Sequence, residues 1–540
     1  MRRRRLLAGL TGAGALFALD GLPLAGAAST SEVNPIASTM SGRVRGIQAS
    51  KVLSFRGIPY GGSCAGAHRF MPPTAPIPWR GIRDAVKAGP RAVQGSNGTI
   101  FTSPLIGEYF SGGRPDAAKI TAEPDSENCL VLNVLTTALN GKRPVMVYIH
   151  GGGFTEESGA LTLISDRFVA EQDVVLVGIN HRLGCFGYTY LGALDPAYAD
   201  SGNIGQLDLI AALKWVRNNI ASFGGDPKNV TLFGESGGGA KISALLAMPG
   251  AKGLFQRAII ESGSFRSVRT LETASEDANR LLKKLGLNAS QLGQLQTMPA
   301  GQLLSAYRAV AKILDGPVID HRSLNAQTWK QGAPPEANGV SLLIGCCKDE
   351  TTLFSLQDSE LFSLDWPGLK EREIKSGIPA ESVDAILDKY RQDYPSDSPT
   401  DVYFRMATDK GFRSNAIAQA EAKLAQQSDT VHMYYFAWDT GLGHGKLRAF
   451  HTAELPLAMR LVADPAAEEL SRQISGAWAS FARTSDPNHS GLPHWEKYSL
   501  ENRATLVFDA GRTALIYRPA QEELALLAPF PKGIPYDDVA

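Results

Sequence analysis

The sequence carries no excess charge of either sign, because Lys and Arg together number 54 and Asp and Glu together number 54. A chain with this balance has no overall electrostatic field that would attract nucleic acid or an anionic membrane surface, so we predict neither as a partner. Beyond the N-terminus, no apolar run is long enough to span a bilayer, which argues against stable membrane insertion. The expected partner is a small molecule.

Metal-binding and nucleotide-binding patterns are missing as well. The five cysteines show no metal-ligand spacing and no histidine cluster accompanies them, so we predict no metal site. No predicted strand is followed by the glycine fingerprint of a dinucleotide site, and the chain has no internal repeat. Five is an odd number of cysteines, so at least one stays unpaired in a monomer, and buried free thiols are the expected state.

The first 28 residues differ in composition from the rest of the chain. Arg2–Arg5 precede an apolar run, Leu6–Leu19, and the small residues Ala25–Ala27 form a cleavage site. This pattern is typical of a signal peptide, and a membrane anchor is the alternative, for which the apolar run is short. We expect an exported bacterial protein, periplasmic or secreted, whose mature chain starts near Ala28 or Ser29. Paired arginines resemble a twin-arginine signal, although the general secretory route would also suit them.

Short apolar segments that favour strands alternate with longer segments of helical periodicity. This alternation predicts an α/β fold with a large, mostly parallel sheet flanked by helices. One predicted helix carries Leu209, Leu213, Val216 and Ile220, and another carries Leu470, Ile474, Trp478 and Phe481. The predicted strands are Val145–Ile149, Val174–Ile179, Val230–Phe233, Arg257–Glu261, Ser341–Ile344 and Val431–Phe436.

Three polar, turn-rich segments interrupt this alternation: Gly95–Glu127, Phe265–Gly339 and Phe354–Ser428. None has a low-complexity linker at both ends, so they read as insertions around one sheet rather than as separate modules. We therefore predict a single catalytic domain over residues 29–540, with insertions that form the walls of a pocket.

The segment Gly234–Gly238 has the pattern Gly-x-Ser-x-Gly, directly after a predicted strand and before a helix expected to run through Lys241–Met248. A serine on a sharp turn between strand and helix needs glycines two positions away on each side, because side chains there would collide with the neighbouring backbone. The N-terminus of the helix also favours developing negative charge. The motif predicts a nucleophile at Ser236; for the motif alone, the alternative is a serine that merely caps a helix.

A second glycine motif, His150–Phe154, follows the strand predicted at Val145–Ile149. Consecutive glycines allow bare backbone N–H groups to approach a substrate oxygen, and an oxyanion needs two or three such donors in a dry site. This loop is therefore the expected oxyanion loop of a hydrolase.

Taken together, these motifs make the chain similar to the type-B carboxylesterase family of the α/β-hydrolase superfamily, and the likeness runs through nearly the whole mature chain. The segments that carry it, besides the two glycine motifs, are Phe55–Tyr60, Ser126–Asn133, Asn180–Gly184 and Phe223–Pro227.

The resemblance assigns a role to each matching position. It implies Ser236 as nucleophile, Glu350 as the acidic member and His451 as the base. It also implies that the oxyanion is bound by the N–H groups of Gly152, Gly153 and Gly237. The order serine, acid, histidine along the chain agrees with this assignment.

Three residues compete for or add to these roles. Asp349 is the neighbouring acid, with a structural role as the expected one, and His444 lies between glycines, where a rim or solvent-exposed position is expected. Ser262 either corresponds to a secondary serine of the family or simply closes a buried strand.

The chain also departs from the family pattern. Asn128 replaces an acidic residue, Gly237 stands where alanine is frequent, and Thr351 replaces a glycine. No tryptophan lies between Gly95 and Glu127, where cholinesterases bind a quaternary ammonium ion, and Cys129 has no cysteine near Ala92 as its disulfide partner. A choline ester is therefore not the expected substrate.

The expected activity is hydrolysis of a carboxylic ester through an acyl-enzyme, a reaction that requires no cofactor. The same triad serves amides, thioesters and lactones, which remain alternatives. A catalytically silent binding protein is a further alternative, against which all three triad positions argue.

Overall fold

The computed structural model describes residues 34–95, 104–113, 123–160, 165–310, 316–427 and 430–530. The predicted signal peptide, residues 1–28, lies outside these ranges. Residues from Asn34 onward group into one compact unit.

An 11-stranded sheet forms the centre of this unit, and a small three-stranded sheet of order β1-β2-β5 accompanies it. In chain order the strands are β1 (Ile36–Thr39), β2 (Gly42–Arg45), β3 (Ile47–Ala49), β4 (Val52–Pro59), β5 (Ile82–Asp84), β6 (Val131–Thr136), β7 (Arg143–Ile149), β8 (Val175–Ile179), β9 (Gly225–Glu235), β10 (Arg257–Glu261), β11 (Ser341–Cys347), β12 (Val431–Phe436), β13 (Thr505–Phe508) and β14 (Ala514–Ile516).

The central sheet has the order β14-β13-β12-β11-β10-β9-β7-β8-β6-β4-β3. All neighbours from β8 to β13 in that order pair in parallel, whereas β3, β4 and β6 at one edge and β14 at the other pair antiparallel. This arrangement confirms the predicted α/β fold with a mostly parallel sheet.

Helices surround the sheet. They are α1 (Pro104–Ser111), α2 (Asp166–Gln172), α3 (Gly184–Tyr188), α4 (Ile204–Asn219), α5 (Gly237–Leu245), α6 (Leu271–Leu285), α7 (Gly293–Thr297), α8 (Ala300–Arg308), α9 (Trp366–Lys375), α10 (Ala380–Asp393), α11 (Pro399–Thr408), α12 (Ser414–Leu424), α13 (Glu454–Ala458), α14 (Glu468–Thr484) and α15 (Gln521–Leu527). Within the described ranges, no helix is both long and apolar enough to cross a membrane.

The two faces of the sheet are covered by different helices. Val145 and Val147 of β7 belong to the apolar cluster that contains α4, and Met146 and Tyr148 belong to the cluster that contains α14. Successive residues of a strand point to opposite faces, so a strand covered on both sides is apolar throughout. This is why the parallel strands appear in the sequence as continuous apolar runs.

The predicted strands at Arg257–Glu261 and Val431–Phe436 are confirmed to the residue, and the others differ at their ends. The helix after Ser236 was predicted to reach Met248, which is wrong, because it ends at Leu245. Met248 precedes Pro249 and is extended, with φ −100° and ψ 119°. Proline disfavours helical geometry in the residue before it.

Trp478 of α14 ties that helix to the sheet. Its side chain is buried between Tyr434 and Phe508, with ring centroids 5.2 and 5.9 Å away, and its Nε1 donates to Oε1 of Glu261 at 3.0 Å. Losing this ring would leave both a cavity and a buried acid without its donor.

We therefore expect Trp478→Ala to lower the free energy of unfolding by about 3–5 kcal/mol. Urea denaturation followed by circular dichroism measures the change. The matched control is Trp79→Ala, because that indole is only half-buried and should cost clearly less. Equal losses for the two variants would contradict this account of the packing.

Candidate active site

Ser236 lies on the sharp turn between β9 and α5. Its φ of 54° and ψ of −123° place it in a region that residues other than glycine rarely adopt. The backbone is held there by two hydrogen bonds: the Ser236 N–H donates to the Glu261 carbonyl at 2.8 Å, and the Ser236 carbonyl accepts from Ala240 N at 3.0 Å. The turn presents the partly exposed side chain at the carboxyl edge of the sheet.

Neighbouring backbone leaves no room for side chains around this turn. A Cβ atom on Gly234 or Gly238 would lie 2.5 or 2.0 Å from the carbonyl oxygen of Ile149. The steric reason inferred for the two motif glycines is therefore correct. A Cβ atom on Gly237 would lie 2.2 Å from the Gly153 carbonyl oxygen, so alanine at this position would require the glycine loop to move.

The glycine loop lies beside the serine. Gly152 and Gly153 have φ angles of 68° and 60°, in the left-handed region that favours glycine. In hydrogen bonds between described residues, the N–H groups of Gly152, Gly153 and Gly237 have no acceptor. These three residues line one cavity together with Ser236, so their N–H groups are available to a bound oxygen.

Glu350 and His451 form a buried pair in which Nδ1 of the imidazole is hydrogen-bonded to Oε2 of the carboxylate. The other oxygen, Oε1, accepts from Ser262 Oγ at 2.5 Å and from the Cys347 N–H at 2.8 Å. Both carboxylate oxygens are thus occupied, and the imidazole can use only Nε2 for a further proton transfer. Ser262 acts here on the acid rather than merely closing a strand.

Asp349 connects the loop of the acid to the loop of the histidine. Its N–H donates to the Ala449 carbonyl at 2.9 Å, its Oδ2 accepts from Ala449 N at 3.3 Å, and it forms a parallel bridge with Phe450. This is the structural role expected from the sequence. His444 is exposed and is absent from the cavity lining, whereas His451 lines it.

The cavity lined by Ser236, His451 and the glycine loop has a volume of about 870 Å³. Of the three irregular segments, Phe354–Ser428 supplies much of its wall, Phe265–Gly339 supplies only Phe265, and the described part of Gly95–Glu127 supplies none. The prediction that insertions form the walls of the pocket is confirmed for the segment Phe354–Ser428. Aromatic side chains lining the cavity are Phe154, Phe265, Phe354, Tyr403 and Phe412.

Ser236 and His451 are not directly hydrogen-bonded in this structure. Within the described ranges the Ser236 hydroxyl has no hydrogen-bond partner, and Nε2 of His451 lies 3.3 Å from Oε1 of Glu235. Burial, with the nearby carboxylates of Glu454 and Glu350, raises the pKa of Glu235 well above its usual range. Catalytic hydrogen bonds are often loose without substrate and tighten when it binds.

Behind the glycine loop lies a buried amine, Lys241 of α5. Its Nζ donates to the carbonyl oxygens of His150 at 2.9 Å and Gly151 at 3.1 Å. Burial lowers the pKa of Lys241 to about 7 and raises the pKa of Glu157, on the other side of the loop, to about 8. The imidazoles of His150 and His181 stack beneath the loop, and burial lowers the pKa of each.

Sequence reasoning missed Glu235, Lys241 and two aromatic rings beside His451. Phe354 and Phe412 lie 5.0 and 5.3 Å from the His451 imidazole, centroid to centroid. The charged residues carried a signal, because an acid next to a nucleophile and a lysine one turn into a buried helix are both unusual. The aromatic residues carried none, since they lie in a segment without periodicity.

All five cysteines are buried and none of them forms a disulfide, as expected. Among the described residues, no group of three or more His, Cys, Asp or Glu side chains is arranged to hold a metal ion.

Comparison with known proteins places this chain in a family. The model of the Carboxylesterase family matches residues 33–526. The para-nitrobenzyl esterase of Bacillus subtilis (strain 168) is 35% identical over 500 residues, covering 88% of this chain and 95% of the relative. The fumonisin B1 esterase of Sphingopyxis macrogoltabida is 30% identical over 515 residues, covering 89% and 88%.

A solved structure agrees with these relatives. The crystal structure of a Geobacillus stearothermophilus carboxylesterase matches with a TM-score of 0.79 and 35% sequence identity, covering 91% of this chain and 99% of the other. With the family model and the relatives, this likeness shows that the chain belongs to the carboxylesterase family and is a carboxylic ester hydrolase of the α/β-hydrolase fold.

Proposed function

We propose that the enzyme hydrolyses carboxylic esters through an acyl-enzyme on Ser236, with His451 as general base and Glu350 as the acid that orients it. The observation that carries this proposal is that Ser236, His451 and the glycines with free N–H groups line one cavity, and that His451 is hydrogen-bonded to the buried Glu350. Nucleophile, base and oxyanion donors are thus arranged around one space.

In this reaction Ser236 Oγ attacks the ester carbonyl carbon while its proton passes to Nε2 of His451. The negative charge on the carbonyl oxygen is stabilised by the N–H groups of Gly152, Gly153 and Gly237. The imidazolium then protonates the leaving alcohol, and water activated by the same base hydrolyses the acyl-enzyme. Glu350 keeps Nδ1 protonated and stabilises the imidazolium.

The cavity favours esters with an apolar or aromatic acyl or alcohol part, because aromatic rings line it beside the serine and the base. A similar relative is a para-nitrobenzyl esterase, which agrees with this preference. No observation favours amides, thioesters or lactones over esters.

We expect Ser236→Ala to remain folded while turnover of a para-nitrobenzyl ester falls by about four to six orders of magnitude, because no nucleophile remains. A fluorophosphonate probe should label the natural enzyme at this serine and leave the variant unlabelled. Unchanged hydrolysis or labelling of the variant would exclude the assignment. Assaying the corresponding amide in parallel tests whether the enzyme hydrolyses esters only.

We expect His451→Ala to lower turnover by about four orders of magnitude, and His444→Ala to lower it by about tenfold at most. The reason is position, since His451 is buried in the cavity against Glu350 whereas His444 is exposed. Steady-state kinetics on the same ester measures both. His444 is the matched control, and a greater loss for His444→Ala would reverse the assignment.

We also propose that the protein is exported and periplasmic or secreted, with residues 1–28 as its signal peptide. The proposal rests on Arg2–Arg5, the apolar run that follows and the small residues Ala25–Ala27. The family match begins at residue 33, after this segment.

N-terminal sequencing of the protein from a bacterial host that exports it should give a chain starting near Ala28 or Ser29. A cytoplasmic pool that keeps Met1 would refute export. Replacing Arg2–Arg5 with lysines separates the routes, because a twin-arginine signal loses export with this change and a general secretory signal keeps it.

A further inference from the structure

Each N–H group proposed for the oxyanion belongs to a peptide unit whose carbonyl points the opposite way. A trans peptide is planar, so fixing the carbonyl of one unit also fixes the direction of its N–H. The carbonyl partners of the Gly152, Gly153 and Gly237 N–H groups are those of Gly151, Gly152 and Ser236, respectively. What holds those three carbonyls therefore decides where the donors point.

Two of the three carbonyls accept from backbone N–H groups nearby in the chain, and that of Gly152 also accepts from Thr155 Oγ1 at 3.3 Å. The Gly152 carbonyl accepts from Thr155 N at 3.2 Å and from Glu156 N at 3.1 Å, and the Ser236 carbonyl accepts from Ala240 N at 3.0 Å. These bonds are ordinary turn and helix bonds, and any sequence that forms the turn and the helix supplies them.

The Gly151 carbonyl is different, because side chains contact it: Nδ1 of the neighbouring His150 lies 3.2 Å from it, and a second bond comes from a side chain 90 residues further along the chain. Lys241 Nζ donates to it at 3.1 Å and to the preceding His150 carbonyl at 2.9 Å. Lys241 is fully buried, and Glu157 is the acid whose charge acts on it, although the two form no salt bridge. Burying such a group is costly, which argues that its two bonds have a purpose beyond packing.

We infer that Lys241 is a positioning residue of the ester hydrolysis proposed above: it holds the Gly151 carbonyl behind the loop and so aims the Gly152 N–H at the oxyanion. This inference rests on the proposed function and extends it to a residue outside the cavity lining. A hydrogen bond to the carbonyl also polarises the peptide and strengthens the N–H as a donor. Both bonds need only two N–H groups, which the amine keeps whether or not it is protonated.

The test is Lys241→Met in the full-length protein, a change that keeps the length and burial of the side chain and removes both donors. We expect kcat to fall by about 10- to 100-fold with KM changed by less than about threefold, because the lost interaction acts on the transition state and not on the bound ester. Steady-state kinetics on the para-nitrobenzyl ester measures kcat and KM separately.

A trifluoromethyl ketone supplies a readout that packing alone would not move. Ser236 Oγ bonds to its carbonyl carbon, the hydroxyl proton passes to His451, and the carbonyl oxygen becomes a stable oxyanion. The affinity of Lys241→Met for this inhibitor should fall by the same factor as kcat/KM. The inference would be overturned if Lys241→Met kept the kcat and the inhibitor affinity of the natural enzyme, or if only its KM increased.

Lys423 offers a matched control, because it is another buried lysine whose Nζ donates to a backbone carbonyl, that of Ala337 at 2.7 Å. Lys423→Met should change kcat and inhibitor affinity by less than about twofold. If it matched Lys241→Met, the effect would be one of general destabilisation, and the inference would fail. Thermal unfolding of both variants compares their stabilities.

If Lys241→Met does not fold, Lys241→Gln is tested in its place. Lys241→Gln keeps donor N–H groups on a shorter side chain that cannot reach both carbonyls, and we expect losses of about tenfold in kcat and in inhibitor affinity. Natural values for both would count against the role of Lys241.

Gly152→Ala separates this inference from the function on which it rests. A Cβ atom there would lie 2.6 Å from the Glu156 carbonyl oxygen, at a φ of 68°, so the loop itself must shift. If Gly152→Ala loses activity while Lys241→Met keeps the kcat of the natural enzyme, the assignment of the oxyanion loop stands and the role of Lys241 is rejected. Natural values for both variants reject the oxyanion assignment itself.

Discussion

The conformation of Ser236 is the constraint on which the rest of the site depends. A side chain at positive φ on a turn between a buried strand and a buried helix is held only if the surrounding backbone packs closely. That close packing is visible at Gly234 and Gly238, where the Ile149 carbonyl occupies the space of a Cβ atom. The same contact brings the end of β7, and hence the glycine loop that follows it, against the serine.

The parallel sheet explains why the remaining groups converge. Parallel strands end at the same edge, so the loops after β7, β9, β10 and β11 all open on one side. The serine follows β9, Ser262 follows β10 and Glu350 follows β11. Asp349 then bridges to Phe450, which ties the loop of Glu350 to the loop of His451.

Electrostatics in this region is unusual because several acids are buried around one imidazole. Burial raises the pKa of Glu235 and Glu454, and raises that of Glu261 to about 8. Each of the latter two receives hydrogen bonds from neighbours: Trp478 donates to Glu261, and Tyr434 and Cys347 donate to Glu454. A raised pKa favours the neutral acid, and this lessens the mutual repulsion that several buried carboxylates would suffer.

The sequence by itself determined the features that depend on local backbone geometry. Glycine spacing around Ser236 and in the loop at Gly152 reports steric conditions within a few residues, and apolar periodicity reports the sheet and its helices. Glu350 and His451, 101 residues apart, were named only through resemblance to a family, and their contact is a result of folding. The raised pKa of Glu235 and the reach of Lys241 to the glycine loop were decided by tertiary structure alone. The physical reason is that burial and side-chain contact between distant segments depend on how the irregular segments pack, and no period in the sequence records that packing.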